Sequence, residues 1–434
     1  MTKQNLNTIP TQPTKTYESG SDRVTLFKNG LRSYPKVSYP TQCGIYHEVE
    51  TGQATLHFNL NHEIIRLIGK TKDLPHPQEW LKRTIGNDWI YYSTGGYTGV
   101  FETTGEYYLP NLPYRTNNIM GGKPHDHEAV NQLLEFWPKL LHKSAENSFH
   151  ASSVIRSFLE RAQSKATTRL TEKAEGLHHI SEGPITVLPP DTRHVDYQIL
   201  PLNISQGCLY KCSFCRVKNN HQFKEKSAAE IDQQISALKE LLADDLINFN
   251  SIFLGQHDAL HADPELIYYA VENAQLELNL TRSYLNGSNT FLFGSVSSLL
   301  SADQKLFKAL EQLPGYTFIN IGLESADQNT LDHLGKPITT EEVRSAFSKI
   351  QEINRCYPTI EITSNFVTDE SLPEDHYTAM LELIRDRVER PTIKGCIYLS
   401  PLQFGQPSRA KLFDFYKLKR LSRLPLFMYT IQRL

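Results

Sequence analysis

The chain has 434 residues, of which 39% are hydrophobic, and a formal net charge of −3. This length exceeds one average domain and suits a barrel-like domain with an added module. The nearly balanced charge excludes a global attraction to nucleic acid, so any polyanion site would have to be local. Neither an apolar leader nor a run of eighteen apolar residues is present, so we expect a cytoplasmic protein without a membrane span. Unpaired cysteines are typical of a reducing compartment, and we predict no disulfides.

For the first half of the chain, the sequence predicts a tail followed by a small module. Residues 1–22 are polar and rich in Thr, Gln, Asn and Pro, which predicts a mobile tail. Short alternating runs then indicate an aromatic-rich antiparallel meander that covers 45–58 and 89–109. Two helical stretches near 128–142 and 152–173 come next. A proline-containing linker then ends an α+β module that we place at 23–190.

Beyond the linker, strand and helix patterns alternate six times. The predicted strands are 197–204, 251–255, 289–294, 316–323, 360–367 and 393–399. Six strand-helix units predict a parallel sheet over 191–408, because parallel neighbours need crossover connections. Six units are fewer than the eight of a closed barrel, and functional residues in such sheets lie beyond the carboxyl ends of the strands. Residues 409–434 are predicted to form a basic helix and a docked tail.

Three of the six cysteines lie together in one short loop. Cys208, Cys212 and Cys215 have the spacing Cys-x3-Cys-x2-Cys, and the other three cysteines occur singly. A loop with three thiolates can wrap one face of an iron-sulfur cube and leave one iron without a protein ligand. The alternatives are a zinc knuckle completed by His221 and a chance grouping of three thiols in a loop. We favour the cluster, because structural zinc usually draws paired Cys-x2-Cys units.

This loop, with Phe214 before its last cysteine, resembles the signature of the radical S-adenosylmethionine (SAM) enzymes. The resemblance covers roughly 197–400 and implies a partial (β/α)6 barrel with a 4Fe-4S cluster on the three cysteines. It also implies that the amino and carboxylate groups of SAM chelate the open iron. In that family, one electron from the cluster splits SAM into methionine and a 5′-deoxyadenosyl radical, which abstracts hydrogen from a substrate. An electron donor such as a flavodoxin or ferredoxin is therefore an expected partner.

The residues after the second predicted strand are candidates for contact with SAM. The run Gly255-Gln256-His257-Asp258 stands where the family commonly has Gly-Gly-Glu, which receives the methionyl ammonium group. A buried ammonium still needs an acceptor, and either Gln256 or Asp258 could supply one. His257 could instead face a substrate. A structural alternative is that Gly255 ends the strand and Asp258 caps the segment after it.

Polar residues at three other strand ends complete the candidate set. Glu324 closes the fourth strand within Gly-Leu-Glu-Ser, a run similar to many family members, in which this residue reaches the ribose hydroxyls or the methionyl group of SAM. Ser295 after the third strand and Asn365 within the fifth are similarly placed, although each could equally be a satisfied turn or core group. Cys356 and Cys396 could donate hydrogen atoms if they faced the barrel mouth, but small buried side chains are the expected interpretation.

The C-terminal stretch 409–423 holds six basic residues against one acid, interleaved with aromatics. It could bind RNA or an anionic lipid surface. We favour a solvated basic face whose apolar side packs on the barrel. The sequence thus predicts a radical SAM enzyme with an unidentified substrate. The alternatives are an RNA-modifying member of the family and a non-catalytic iron-sulfur or zinc binding protein.

Overall fold

Two sheets organise the chain. The computed structural model describes residues 12–29, 45–70, 79–93, 128–183, 188–195, 199–215, 222–255, 257–283, 285, 287–389, 394–402 and 409–428. A seven-stranded antiparallel sheet forms the N-terminal part, and a seven-stranded parallel sheet forms the rest. Within the described ranges, no helix is both long and apolar enough to cross a membrane. The strands predicted at 94–109 lie outside the described residues.

The N-terminal sheet is a meander in which each strand pairs with the next. Its strands are β1 Lys15–Ser19, β2 Asp22–Asn29, β3 Ile45–Glu50, β4 Ala54–Phe58, β5 Ile64–Gly69, β6 Glu79–Arg83 and β7 Trp89–Ser93. The predicted hairpin at 45–58 is present as β3 and β4. The tail prediction for 1–22 was wrong from Lys15 onward, because this stretch forms β1 and the start of β2 through cross-strand pairing that its polar composition does not reveal.

Successive residues of a strand point to opposite faces, and the two faces of this sheet differ. One face is apolar and packs on α1 (Glu128–Glu146) and α2 (Ser153–Ser164). The other face carries a buried row across three neighbouring strands, with Glu48 opposite His57 and His57 opposite Arg66. Arg66 Nη1 donates to His57 Nδ1 at 3.1 Å, and His57 Nε2 donates to Glu48 Oε2 at 3.1 Å. The row thus links Arg66 to Glu48 through His57, and Glu48 Oε1 also accepts from Lys28 Nζ at 2.6 Å.

A third helix, α3 (Thr168–Ile180), leads from this module towards the parallel sheet. The sequence predicted one helix at 152–173, but the structure has two, α2 and α3. Short strands β8 (Leu200–Pro201), β9 (Ser205–Gln206) and β10 (Lys224–Glu225) come next, and β9 pairs with β10 in antiparallel fashion.

The parallel sheet confirms the α/β class. Its remaining strands are β11 Ser251–Phe253, β12 Asn289–Gly294, β13 Tyr316–Glu324, β14 Ile360–Thr368, β15 Ile397–Pro401 and β16 Leu426–Met428, in the order β16-β15-β14-β13-β12-β11-β8. Among the described strands, β8 and β16 each have one partner in this sheet, so it is open like a partial barrel. The sequence predicted six strands and missed β16, because three residues are too short for a periodic pattern.

Helices cover the outer face of this sheet. They are α4 Ala228–Leu242, α5 Pro264–Glu277, α6 Val296–Ser301, α7 Gln304–Gln312, α8 Gln328–His333, α9 Thr340–Cys356, α10 Glu374–Leu381 and α11 Arg409–Leu421. Capping boxes begin α4 at Ser227 and α9 at Thr339. The apolar residues of the strands that face these helices form the largest core of the protein.

The inner face of the parallel sheet carries a layer of aromatic side chains. Phe253, Phe291, Phe318 and Tyr398 belong to one buried cluster, which also includes Trp80 of β6. Rings of Phe291 and Phe318 are stacked, with centroids 5.1 Å apart. The N-terminal sheet therefore contacts the concave side of the partial barrel through Trp80.

A buried ion cluster holds the two sheets together elsewhere. Lys173 on α3 pairs with Glu63 beside β5 at 2.9 Å and with Asp245, which lies between α4 and β11. Gly176 allows the close approach of α3 to α4, since a Cβ there would lie 2.8 Å from Leu241 Cδ1. These contacts fix the end of α3 beside the first strand of the barrel.

Candidate active site

The cysteine loop follows β9 and lies at the carboxyl edge of the parallel sheet, as predicted. Gly207 has φ +78°, in the left-handed region that favours glycine, and turns the chain from β9 into the loop. Cys208 and Cys215 are half-buried, Cys212 is buried, and all three are free thiols. Burial raises the pKa of Cys208 and of Cys212. The loop thus presents three thiols, two of which resist ionisation in the absence of a positive partner.

One side of the loop is fastened to the turn after α8. The backbone N–H and the Oγ of Ser213 both donate to Leu334 O, at 2.9 Å and 2.6 Å. Gly335 has φ +61°, and a Cβ there would lie 3.3 Å from Ser213 Oγ. Phe214 packs against Leu334 and Val367. This turn therefore fits closely around the second half of the loop.

The other side of the loop is fastened to α6. Tyr210 Oη lies 2.5 Å from Ser297 Oγ, and the Ser297 N–H donates to Tyr210 Oη at 3.1 Å. Because one bond involves the backbone at the first turn of α6, the position of the ring is tied to the helix rather than to a mobile side chain. The loop is therefore held between two helices that follow different strands.

A buried ion pair lies beside the loop. Glu324 closes β13 in the left-handed region at φ +65°, and its Oε1 is 3.5 Å from Lys336 Nζ. Lys336 Nζ is also 5.6 Å from the centroid of the Tyr210 ring. The Glu324 carboxyl lies directly over Gly322, where any Cβ would collide with its Oε1. Burial raises the pKa of Glu324, and Lys336 opposes this shift.

The same lysine acts on the thiols. Its charge opposes the effect of burial on the pKa of Cys208 and of Cys212, whereas Asp258 adds to that effect at Cys208 and Glu324 adds to it at Cys212. Among the residues that the structure describes, Lys336 is therefore the cation that most favours the thiolate form of these cysteines.

Asp258 is engaged with the helix that follows the next strand. Its Oδ1 accepts from the Ser295 N–H at 2.9 Å, and its Oδ2 accepts from Ser298 Oγ at 2.6 Å. The Ser295 hydroxyl accepts from the Ser298 N–H at 3.0 Å and so caps α6. Asp258 and Ser295 therefore lie together, and each makes hydrogen bonds that fix the start of α6.

Asn365 belongs to a polar network on the inner face of the barrel. Its Nδ2 donates to Asn320 Oδ1 at 2.6 Å, and Asn320 Nδ2 donates to Thr363 Oγ1 at 2.9 Å. Thr363 Oγ1 and Tyr398 Oη in turn donate to the buried carboxylate of Asp191, each at 2.7 Å. The network extends from the level of Gly322, the register partner of Asn365, down to the aromatic layer.

The remaining predicted residues occupy different environments. Gly255 follows β11 with φ +123° and lies against Asn203. Gln256 lies outside the described residues. Burial lowers the pKa of His257. The expectation of a small buried side chain holds for Cys396 but is wrong for Cys356, which ends α9 with its side chain exposed to solvent.

The described part of the basic C-terminal stretch is partly built into the fold. Lys419 lies 5.1 Å from the Phe427 ring centroid, and burial lowers its pKa to about 8. Arg423 Nη1 donates to Val388 O at 2.6 Å. Phe415 is buried, whereas Lys417 is exposed and pairs with Asp414 on its own helix. This arrangement agrees with a packed helix whose outer face is basic.

Comparison with known families decides which class of protein has this site. The family model described as the radical SAM superfamily matches residues 202–384, which include the cysteine loop, Glu324 and Lys336. Residues 202–384 therefore form a radical SAM domain. Members of this superfamily are enzymes that use a 4Fe-4S cluster and SAM. No curated protein sequence matches the chain.

Several solved structures of radical SAM proteins are similar to this chain. A radical SAM methyltransferase from Sphaerobacter thermophilus is 17% identical with a TM-score of 0.35, over 56% of this chain and 67% of that chain. OxsB, a cobalamin-dependent S-adenosylmethionine radical enzyme with aqua-cobalamin and SAM bound, is 17% identical with a TM-score of 0.35, over 57% of this chain and 34% of its own. HydG, a maturase of FeFe-hydrogenase, is 13% identical with a TM-score of 0.36, over 67% of each chain. The chain thus spans about a third of the length of OxsB, and these scores say nothing of its substrate.

The residues of the loop fit a radical SAM cluster. Three free cysteines lie in one short loop that two helices hold in place, and a buried lysine favours their ionisation. In the described ranges, no group of three or more His, Cys, Asp or Glu side chains is placed to hold a single metal ion. A 4Fe-4S cluster does not require such a group, because each cysteine of the loop binds a different iron.

Sequence reasoning missed two residues that shape the site. Lys336 follows a helix in the run Leu-Gly-Lys-Pro, which matches no motif with a known mechanism, and only the fold places it over the loop. Tyr210 lies within the cysteine loop, but its partner Ser297 is distant in sequence. The one available signal was Gly335, since a glycine directly before a lysine after a helix indicates a left-handed turn.

Proposed function

We propose that this protein is a radical SAM enzyme that cleaves SAM reductively to a 5′-deoxyadenosyl radical, which acts on a substrate not yet identified. One observation carries the proposal: the three-cysteine loop lies at the carboxyl edge of an open parallel sheet, between two helices that fix it. Substrates of such sheets bind at this edge. When bound, the cluster supplies the electron for cleavage of the sulfonium, and the protein supplies position and charge.

Cys208, Cys212 and Cys215 are the proposed cluster ligands. Because burial raises the pKa of the first two thiols, we expect metal binding to release their protons, with Lys336 lowering the cost of the thiolate charge. Ser213 and Tyr210 hold the backbone of the loop on either side. The roles of these two residues are thus to orient the ligands rather than to bind the cluster.

The SAM-facing surface is proposed to draw on the cysteine loop and on β11 to β14 or the segments directly after them: Phe214, Gly255, Gln256, Asp258, Ser295, Glu324 and Asn365. Glu324 suits a role as an acceptor, because its carboxyl is buried at the end of β13 beside the loop. Asp258 contributes chiefly by fixing Ser295 and α6. Asn365 contributes through the network that rigidifies the inner face.

We propose a division of labour between an N-terminal module, which begins with β1 and ends near residue 190, and the barrel, residues 191–408, to whose sheet the C-terminal stretch 409–434 adds β16 after α11. The contact of Trp80 with the aromatic layer supports a role for the module in closing the concave side. An electron donor such as a flavodoxin or ferredoxin would approach from the solvent side of the cysteine loop. Leu209 and Lys211 are exposed there.

Anaerobic reconstitution with iron and sulfide tests the proposal. We expect about four irons per chain and release of 5′-deoxyadenosine when SAM and a reductant are added. Replacement of Cys212 by alanine should abolish both, whereas Cys356→Ala, at an exposed helix end, should change neither. The substrate can then be sought by mass spectrometry of cell extract after turnover with SAM.

Two results would direct attention to the alternatives. A reconstituted cluster whose EPR signal does not respond to SAM, with no 5′-deoxyadenosine formed, would favour a binding protein. Stoichiometric zinc in protein purified without oxygen, with no iron incorporated, would favour a zinc site. Either result contradicts the proposed activity.

A further inference from the structure

An unsatisfied acceptor lies at the carboxyl edge of the first strand. Asn203 is 9% exposed, and its Oδ1 has no hydrogen-bond partner among the described residues. A buried carbonyl oxygen without a hydrogen-bond donor lowers the stability of the fold and is rare in proteins, which suggests that a ligand supplies the donor. The other polar atoms of this residue are satisfied, since its backbone N–H donates to Gln234 Oε1 at 3.1 Å and its backbone O accepts from Gln234 Nε2 at 2.9 Å.

Strand alternation places this acceptor on the inner face of the barrel. Leu202 and Ile204, on either side of Asn203, belong to the core that faces the helices. Across from it, Gly255 has no side chain, and a Cβ there would lie 3.3 Å from Asn203 Oδ1. This distance is shorter than that of most Cβ contacts, so a glycine at φ +123° is what allows the backbone after β11 to lie this close to the unsatisfied oxygen.

The N-terminal module holds the amide in this orientation. Asn203 Nδ2 donates to Ser181 O at 2.7 Å, directly after α3. Ser181 is itself fixed, because its backbone N–H donates to Leu177 O at 2.9 Å and its Oγ lies within hydrogen-bond distance of two carbonyl acceptors, Leu177 O at 2.9 Å and Gly183 O at 2.8 Å. With Nδ2 committed to the module, Oδ1 must point away from it.

We propose that Asn203 Oδ1 accepts a hydrogen bond from the amino group of SAM, and that the end of the N-terminal module orients it for this task. The inference rests on the proposed function. If SAM chelates the open iron as the proposed function implies, its methionyl end would lie near the cysteine loop, which begins four residues after Asn203, and its amino group is the donor suited to a lone acceptor. Asn203 would thereby compensate for the missing glutamate after Gly255. The nearby carboxylate of Asp258 is a poorer substitute, because both of its oxygens already accept hydrogen bonds at the start of α6.

Binding of two probes to the anaerobically reconstituted protein tests this assignment. The probes are S-adenosylhomocysteine and its deaminated analogue, in which hydrogen replaces the amino group. Asn203→Leu should weaken binding of the first about 10- to 100-fold, the loss expected for a hydrogen bond to a charged group. It should leave binding of the analogue within about threefold, since that probe has no donor to lose. Equilibrium dialysis measures both without any turnover.

Two further variants keep the test decisive. Asn203→Ser, whose hydroxyl is too short to take the place of Oδ1, should lose the same discrimination with less disturbance of packing. Asn289→Leu removes a buried asparagine at the opposite end of the sheet, where Nδ2 donates to Ser251 Oγ, and should weaken neither probe selectively. Circular dichroism shows whether each variant is folded.

The outcomes separate this inference from the function on which it rests. Equal weakening of both probes in the Asn203 variants, or no weakening of either, overturns the role of Oδ1 while radical SAM activity stands. Failure of both Asn203 variants to fold assigns the amide to the structure and overturns the inference as well. If the unaltered protein carries a cluster but binds neither probe, the proposed function itself fails.

Discussion

Replacing Lys336 with methionine should destabilise the barrel, and more so at neutral pH than in mild acid. Lys336 Nζ and Glu324 Oε1 are 3.5 Å apart, with side chains only 5% and 11% exposed. At an effective dielectric constant of about 20, two unit charges at this distance attract by about 5 kcal/mol. Loss of one partner from a buried pair typically costs about 3 to 5 kcal/mol. Methionine keeps the length of the apolar stem, so the main loss is the charge.

Protonation of Glu324 limits this cost. Burial already raises the pKa of Glu324 from its ordinary value of 4.5, and loss of Lys336 raises it further. A carboxyl whose folded-state pKa is raised loses stability as the pH rises from the unfolded-state value through the folded-state value. Taking up a proton costs about 1.4 kcal/mol for each pH unit above 4.5, so the loss is at most about 3.5 kcal/mol at pH 7 and about 1.4 kcal/mol at pH 5.5.

Urea unfolding of the cluster-free protein at these two pH values provides the measurement. Glu324→Gln in the Lys336→Met background should recover most of the lost stability at pH 7 and little at pH 5.5. Lys349→Met is the matched control, because Lys349 Nζ donates to the backbone carbonyls of Leu300 and Ala302, which do not titrate, and its loss should not depend on pH in this range. A Lys336→Met loss that is equal at both pH values, or unchanged by Glu324→Gln, would refute this reasoning.

Three further outcomes are expected in other parts of the molecule. Tyr210→Phe should cost about 1 kcal/mol and speed release of cluster iron to a chelator, whereas Tyr268→Phe, whose hydroxyl donates to Glu272 on its own helix, should not; equal release rates would remove the anchoring role. Gly322→Ala should displace Glu324 and weaken SAM binding without preventing cluster assembly, and unaltered SAM affinity would contradict this. Burial lowers the pKa of His47 to about 3 and those of His57 and His62 to about 4, so the N-terminal module should lose stability as the pH falls from 6.5 towards 4. All three tryptophans, Trp80, Trp89 and Trp137, lie in this module, so acid titration of tryptophan fluorescence should report its transition before the far-ultraviolet signal of the barrel changes; coincident transitions would count against it.

The parts of the site that the sequence predicts are those set by local chemistry. Cysteine spacing identifies the cluster loop because all three ligands lie within eight residues. Strand ends place Glu324 and Ser295 at one edge, because a parallel sheet brings its carboxyl ends together whatever the loops do. The capping boxes at Ser227 and Thr339 are similarly local, since each needs only two side chains three residues apart. Such features can be predicted without knowledge of the tertiary structure.

The rest of the site depends on contacts between distant segments. Lys336 reaches the cysteine loop because Glu324 turns into the left-handed region and lies over Gly322, a geometry that no pattern in Gly-Leu-Glu-Ser specifies. Asp258 was expected as an alternative to the missing glutamate, yet its oxygens bond to the start of α6, which a strand-end rule cannot foresee.

The N-terminal module shows most clearly that the site is a property of the whole chain. Its composition suggested only a meander with helices, without any functional residue. In the structure, Trp80 meets the inner aromatic layer, Lys173 joins Glu63 to Asp245, and Ser181 orients Asn203 at the carboxyl edge. Because these three contacts lie at different levels of the barrel, the module can set both the floor of the concave side and the direction of one polar group at its rim. A barrel expressed without the module would therefore retain its cysteines but lose the support for Asn203.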